Sequence, residues 1–532
     1  MDNNEALESL LAHLGDFGKY QLMQLMLHLV SATTASMHML SLQTVGAVPD
    51  HRCRIPDLDV SLNTSFIPDK LEMYIPKLDA ETFDSCSMYN LSANDNSTIP
   101  CDSWVYDLTY YKSSRGIEWN FVCNQRWMGA VAQSVFMFGA FIGAVTLGSA
   151  ADKYGRKPIF CWSATLQLIF GVAAAFVSEY YLFLFVQFFY GVFGSAGCFT
   201  AGFVLSMELI GPSKRTVCGI CFHAAFATGI ILVGVWGAVI HNRQTLQLIY
   251  GLHGIFLMVH WWWMDESPRW LWANRKISEA VKVVQKGLKI NGSSVLLDPA
   301  KYLVITTKSG KNAPAANITD LFKTPVLRKR TLNVCLAWFA NSLVFYGLSL
   351  GTGKFYGNPF VLICLVGVVE FPGYFLIIYL MNRTGRRFPT SFFMILGGIC
   401  CINATYFFKN SLGSTIFVMI SKFSVSNSFA VIYNYTAELF PTVVRNSVLG
   451  LGAMSSRLSS TLIPLIVLLD SINLELPTTI FAMVSIISGF LLLWLPETLG
   501  SSMPQTLEDG ETFRVNDTAF TSCCKKENKD II

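Results

Sequence analysis

The sequence predicts an all-α membrane protein, with twelve transmembrane helices in two six-helix halves. Three observations carry that prediction. Apolar runs of about 20 residues recur along the chain, the length a helix needs to cross a bilayer. Lys and Arg gather in alternate loops between those runs, which assigns those loops to the cytoplasm. The charged turns of the first half then return at matching places in the second, as in repeats built around a central cavity. Composition agrees: 52% of the 532 residues are apolar and 14% charged, with a mean hydropathy of +0.44. The net charge of +4 is small. No basic face interleaved with aromatics stands outside the spans, so nothing points to nucleic acid.

Residues 1–20 form a polar cytoplasmic N-terminus. The first span, about 21–45, lacks the basic flank of a cleavable signal peptide and is read as a retained helix. It opens the first half, 21–264, whose long outer loop 46–127 carries Cys53, Cys86, Cys101 and Cys123 and sequons at Asn63, Asn90 and Asn96. Clustered cysteines and sequons fit disulfides in an oxidising, glycosylated exterior. Four cysteines allow three connectivities, and the sequence selects none of them. Spans two and three, about 128–150 and 159–178, flank the charged turn Gly148–Pro158. Span four, Tyr181–Leu209, is rich in small residues that let helices approach closely. Glu208 ends it and Arg215 follows. Spans five and six cover about 217–240 and 245–264, the latter ending in the interfacial aromatics Trp261, Trp262 and Trp263.

Residues 265–330 are a cytoplasmic linker. Within it, Ile277, Val281, Val284 and Leu288 fall at helical spacing and predict an amphipathic surface helix. A loop at about 291–317, a short helix at Ile318–Phe322 and the basic Arg328-Lys329-Arg330 lead to the second half, 331–496. Its spans lie at about 331–350, 359–380, 390–408, 413–437, 447–469 and 478–495. Asn382–Arg387 takes the place of Gly148–Pro158, and Glu438 with Arg445 echoes Glu208 with Arg215. The tail, 497–532, is polar and predicted to be disordered.

Charges inside a membrane are costly and mark functional candidates. Glu370 in span eight and Arg457 in span eleven each lie about halfway along their helices, near the bilayer midplane. Lys422 in span ten lies nearer the outer half. These residues either form a buried pair that holds helices together or give a cavity both signs of charge. His28, His38, His223 and His253 are either proton relays or polar packing residues.

The motif Gly148-x-x-x-Asp152-Lys153-x-Gly155-Arg156-Lys157 is that of the major facilitator superfamily. Cys101-x-x-Trp104-x-Tyr106-Asp107, Trp119-x-x-x-Cys123, Glu266-Ser267-Pro268-Arg269-Trp270-Leu271, Asp320-Leu321-Phe322 and Glu438-Leu439-Phe440-Pro441-Thr442-x-x-Arg445 accompany it. As a set these resemble the organic cation, carnitine and organic anion transporters, solute carrier family 22. The resemblance implies alternating-access transport of small organic cations or carnitine-like zwitterions. An organic anion transporter or a non-transporting sensor of the same fold is the alternative. It implies neither enzymatic chemistry nor a cofactor or metal; its partners are an organic ion, the bilayer, and a coupling ion or exchanged counter-substrate. A multi-pass plasma-membrane protein with both termini cytoplasmic follows.

The expected substrate site combines the intramembrane charges Glu370, Arg457 and Lys422 with Trp338, Phe345, Tyr346, Tyr433 and Tyr435, aromatics that match positions lining the family's cavity. Gating falls to Asp152, Arg156, Glu208, Arg215, Glu266, Arg269, Arg383, Arg386, Glu438 and Arg445. Asp152 is expected to reach the positive end of span eleven and latch the cytoplasmic side. The sequence departs from the family pattern at Gln187 and Asn382, where a basic and an acidic residue are usual, and in having four outer-loop cysteines rather than six.

Overall fold

The computed structural model describes residues 3–56, 58–59, 66, 71–77, 83–90, 97–211, 213–308, 319–351, 357–408, 411–501, 503–515 and 517–519. Ten of its helices are long and apolar enough to cross a membrane. Spans one to five are Lys19–Val45, Cys123–Tyr154, Arg156–Phe176, Tyr180–Leu209 and Arg215–Val239. Spans seven to eleven are Pro325–Leu350, Pro359–Thr384, Arg387–Phe407, Leu412–Leu439 and Ser447–Ser471. Two further segments complete twelve. Span six is broken: helical over Arg243–Leu252, tighter over His253–Val259, helical again over His260–Trp263. Span twelve, Leu476–Leu492, has 17 residues.

Local chemistry sets several of these starts. The Asn358 side chain accepts from the Phe360 N–H, and Pro359 stands in the first helical turn of span eight. Asn242 caps span six in the same way. Span seven begins at Pro325, so Arg328-Lys329-Arg330 lies inside its first turns and not ahead of it. Span two packs on span eleven and span five on span eight, which are the main contacts between the halves.

The loop after span one holds two small antiparallel ribbons, His51–Cys53 with Trp104–Tyr106 and Ser87–Tyr89 with Thr98–Pro100. Disulfides join Cys53 to Cys101 and Cys86 to Cys123, one of the three connectivities left open by sequence. Arg52 and Asp59 form a buried two-point pair at 2.7 and 2.8 Å beneath the first ribbon. Asn90 directly follows the strand Ser87–Tyr89; Asn63 and Asn96 lie outside the described residues.

On the opposite face, four short helices form a bundle: Asn3–Ala12, Pro268–Ala273, Ile277–Ile290 and Pro299–Lys308. Ile277, Val281, Val284 and Leu288 are all buried in it, with Ala6, Leu10, Leu14 and Trp270. The amphipathic helix therefore covers a protein face, and the N-terminus is helical. Residues 309–318, which include Ile318, are outside the description; the helix expected there runs over Asp320–Lys323.

The tail corrects the expectation of disorder over its described part. Helix Leu507–Thr512 docks against span seven, with Glu511 accepting from the Val326 and Leu327 N–H groups at 2.9 and 3.0 Å. Arg330 donates to the Gly510 carbonyl at 2.9 Å, and Arg387 pairs with Asp517 at 3.3 Å. Capping of an open helix start, together with Leu507 and Phe513 packed against the core, holds this otherwise polar segment.

Candidate functional site

The two charged turns are built alike. Gly155 (φ +110°) and Gly385 (φ +88°) reverse the chain in a conformation that disfavours any side chain. A carboxylate packs against each glycine, Glu266 on Gly155 and Glu497 on Gly385. Each glutamate caps the helix that follows. Glu266 accepts from the Arg156 and Lys157 N–H groups, both at 3.1 Å. Glu497 accepts from those of Arg386 and Arg387 at 2.8 and 3.1 Å. The positive end of a helix favours that charge. The arginine side chains then tie each turn to the end of a later span: Arg156 to Glu208 at 3.1 Å and Arg386 to Glu438 at 2.9 Å.

The central site is not built alike. Span eight breaks at Val369, between helices Pro359–Val368 and Glu370–Thr384. Glu370, first in the second helix, pairs with Lys422 at 3.0 Å, and both side chains are 0% exposed. Tyr374 donates its phenol to Glu370 at 2.6 Å. Lys422 donates to Ser349 Oγ at 2.8 Å and to the Phe345 carbonyl at 3.3 Å, with its ammonium over the Phe345 ring. Burying two ions costs several kcal/mol each, and these contacts are what offsets it.

Arg457 has a different environment. It donates to Ser195 Oγ, and to the Ser195 carbonyl at 3.5 Å, across the divide between the halves. Ser195 lies in Val192–Cys198, a stretch of π-helix within span four. One such widened turn displaces the side chains it carries relative to a regular helix. Arg457 is partly exposed and forms no ion pair with a carboxylate among the described residues. Tyr346 and Tyr433 lie within its electrostatic reach. Around them, Trp338 packs on Tyr433 at 4.2 Å between ring centres, and Phe345 on Tyr346 at 5.0 Å and on Phe429 at 5.7 Å.

The halves are joined at the face that carries the 46–127 loop. There Arg126 makes a two-point pair with Asp470 at 2.9 and 3.0 Å. Gln43 donates to the Ser349 carbonyl, and Tyr111 packs on Phe360 at 5.1 Å. At the opposite face the Asp152 carboxylate is 76% exposed and pairs with Arg156 of its own turn at 3.1 Å. The expected latch to span eleven is not made in this arrangement.

An apolar groove of about 510 Å³ lies outside this centre, lined by Leu365, Val369, Met419 and Phe423 among others. It offers an ion no charged partner.

Comparison with known proteins fits this architecture. Residues 82–508 match the family described as sugar (and other) transporter. The chain is 35% identical to the organic cation transporter protein of Drosophila melanogaster, over 95% of this chain and 94% of that one. It is 31% identical to solute carrier family 22 member 16 of Homo sapiens, over 94% and 92% respectively. The chain belongs to solute carrier family 22. Its fold is that of the major facilitator superfamily: the proton:xylose symporter XylE aligns with a TM-score of 0.60 over 93% of this chain and 98% of that one, at 14% identity.

This solute carrier family 22 protein is a membrane transporter and not an enzyme. Among the substrate residues expected from sequence, its fold brings Glu370, Lys422 and Phe345 into one group and Arg457 and Tyr433 into another, with Tyr346 within electrostatic reach of both. Two expected residues lie elsewhere. Tyr435 is fully buried and donates to the Pro496 carbonyl at 2.7 Å. Residues two apart on a helix do not share a face, so Tyr433 and Tyr435 cannot both line the centre. Trp338 is fully buried behind Tyr433, its indole donating to Thr436 at 3.1 Å.

The residues expected from sequence to act in gating also divide. Arg156, Glu208, Glu266, Arg386 and Glu438 make the two networks described. Arg383 is exposed and lies over the Tyr379 ring at 5.8 Å, outside the network. Arg269 makes a two-point pair with Glu8 of the N-terminal helix at 2.7 and 3.2 Å. Arg215 donates to the Ile210 carbonyl at 3.1 Å, and Arg445 contacts Met503 at 3.4 Å.

Three of the histidines are packing residues. His38 lies between the Tyr250 carbonyl at 2.9 Å and Gln167 at 2.6 Å, which puts its proton on Nε2. His28 contacts Ser206 at 2.8 Å, and His253 the Ile249 carbonyl of its own helix at 2.7 Å. His223 alone of the four packs against the central aromatics, 5.4 Å from Tyr433.

Sequence reasoning missed Glu497, Ser195 and Tyr374. Glu497 had a signal, because Glu497-Thr498 after span twelve repeats Glu266-Ser267 after span six. Ser195 and Tyr374 had none, being ordinary residues in apolar helices.

Proposed function

We propose that the protein carries small organic ions across the plasma membrane by alternating access, and that its preferred substrates are carnitine-like zwitterions. The observation that carries this is the unequal pairing of the central charges. Glu370 is neutralised by Lys422, whereas Arg457 faces only Ser195 and aromatic rings. The centre therefore holds an excess positive charge suited to a carboxylate. The Tyr346 and Tyr433 rings beside it suit the cationic end of the same molecule, since a cation is drawn to an aromatic face. A simple organic cation finds no free carboxylate there.

The loop with its two disulfides and the Asn63, Asn90 and Asn96 sequons faces outside, and both termini face the cytoplasm. With the halves joined at the loop face by Arg126–Asp470, the arrangement is inward-facing. The Arg156–Glu208 and Arg386–Glu438 networks hold the cytoplasmic ends while the halves rock. A coupling ion or exchanged counter-substrate completes the cycle.

Uptake of labelled carnitine, tetraethylammonium and an aromatic carboxylate into expressing vesicles tests this directly. Carnitine uptake above both others is the expected result. Transport of tetraethylammonium alone would overturn the zwitterion assignment, and no flux of any organic ion would overturn the transport reading.

A further inference from the structure

We infer that the linker helix Ile277–Ile290 and the loop after it form a docking surface for the headgroups of anionic phospholipids. This needs only the membrane placement of the spans and not the substrate assigned above. Ile277, Ala280, Val281, Val284, Gly287 and Leu288 bury one face of the helix against the bundle. The opposite face is basic. Lys282, Lys286 and Lys289 recur there at helical spacing, and all three are exposed. Glu279 is the one acidic residue of the helix. Lys286 pairs with Asp265 at 2.8 Å, whereas Lys282 and Lys289 pair with no carboxylate among the described residues.

The helix lies at the level where the spans leave the bilayer. Its C-cap Asn291 accepts from the Tyr20 N–H at 2.8 Å, and Tyr20 is the second residue of span one. Asp265 stands two residues beyond Trp263, the end of span six, and accepts from the Tyr20 phenol at 3.0 Å. Gln24 of span one donates to the Trp263 carbonyl at 3.0 Å. Lys286 and Asn291 are thus tied to the same membrane boundary, and the last turn of the helix runs along it. Met26 of span one and Trp262 of span six are exposed beside that boundary, where the bilayer covers them.

The loop then turns back on the helix. The Gln285 side chain donates to the Val295 carbonyl at 2.9 Å and accepts from the Leu297 N–H at 2.8 Å. These bonds hold Leu297 inward against the bundle. They leave Leu296 88% exposed, more than any other large apolar side chain among the described residues. Gln285 neighbours both Lys282 and Lys289 on the helix surface, so Leu296 stands on the flank of the lysines. Val295 and Ile290 are exposed with it. An aliphatic side chain fixed beside unpaired lysines at a membrane boundary fits an anionic leaflet: headgroups meet the ammonium groups and the acyl region takes Leu296. In the orientation proposed above this is the cytoplasmic leaflet, where phosphatidylserine is found. The boundary position favours lipid over a soluble acidic protein.

Replacing Leu296 by the photo-crosslinker benzoylphenylalanine reports what this position touches. The full chain is placed in vesicles of phosphatidylcholine and phosphatidylserine, mixed alike in both leaflets so that orientation does not matter. Illumination should give a lipid adduct. Phosphatidylserine should be enriched in it at least about fivefold over its share of the bilayer at low salt, the factor one lysine near an anionic surface supplies. The enrichment should fall as salt rises. Lys282→Gln/Lys289→Gln should return the adduct to the bilayer ratio without abolishing it; both side chains are exposed, so the fold does not depend on them. A crosslink confined to the chain itself, or no adduct, overturns the inference. So does an adduct at the bilayer ratio in the parent, or an enrichment that survives the double variant. Crosslinking needs no flux, so a failure of the transport reading leaves this result standing on its own.

Discussion

The two halves of the molecule repeat one another at the cytoplasmic turns and diverge at the bilayer centre. Arg156, Glu208 and Glu266 correspond to Arg386, Glu438 and Glu497, with matching hydrogen bonds at each position. In the middle of the membrane the second half carries Glu370, Lys422, Arg457 and most of the aromatics, whereas the first half offers Ser195 and His223. The cytoplasmic networks are thus duplicated, and the candidate substrate residues are concentrated on one side. Rocking requires both halves to turn as rigid units, which explains why the turns stayed alike. A binding site needs only one well-furnished wall and an opposing surface that closes on it.

The sharpest break in that comparison is at Glu370–Lys422. Lys422→Met leaves a buried carboxylate without its partner and should cost about 3–5 kcal/mol, with transport lost. The double variant Glu370→Gln/Lys422→Met should regain most of the thermal stability but not the transport. If Lys422→Met alone is as stable as the parent, the pair does not hold the second half together.

Next in size is Arg457→Ala, which should reduce carnitine and carboxylate uptake at least about tenfold, the loss of one charged hydrogen bond of about 1.5–3 kcal/mol. Tetraethylammonium uptake should fall less. Equal loss for all substrates, with poor surface expression, would make Arg457 a packing residue.

The duplicated turns should respond equally. Glu266→Gln and Glu497→Gln each weaken a cap worth about 0.5–2 kcal/mol and should slow turnover several-fold at unchanged apparent affinity. A large effect from one and none from the other would mean the turns are alike in form only. At the loop face, Arg126→Ala takes a partner from the Asp470 carboxylate, which is 3% exposed, and should make that side more accessible to thiol reagents at introduced cysteines.

The smallest effect lies in the tail. Burial alone would raise the Glu511 carboxyl, but the Val326 and Leu327 N–H groups and Arg330 outweigh it and hold it below the usual range. A carboxyl depressed on folding contributes its stability above its unfolded value and loses it as pH falls through the folded one. Protection of the amides over 503–515 and 517–519, taken relative to the intrinsic exchange rate at each pH, should therefore fall on acidification below that unfolded value, and Glu511→Gln should remove the change.

Much of this was legible in the sequence, for physical reasons that differ by element. Span length and loop charge are imposed by the bilayer itself, so the architecture could be read locally. Glu370, Lys422 and Arg457 stood out because each is costly where it lies. Their pairing could not be read, since whether Glu370 meets Lys422 or Arg457 depends on how spans eight, ten and eleven turn about their axes. The same holds for the cysteines, and for Tyr435, whose helix face only the packing reveals. The tail escaped notice because its anchoring uses a few capping bonds and two apolar side chains, Leu507 and Phe513, too few to make a pattern. The helix Ile277–Ile290 was visible, but the Asn3–Ala12 helix that helps cover it was not.

The position of Glu266 bears on how this transporter can be cut and recombined. The carboxylate that braces the turn between spans two and three comes from beyond span six, and Glu497 likewise comes from beyond span twelve. A chimaera joined at residue 264 would inherit the first-half turn but take its brace from the other parent. One joined within 291–298, after the linker helix, would carry turn, brace and the Glu8–Arg269 pair together. As an exchangeable module, each half extends past its last helix.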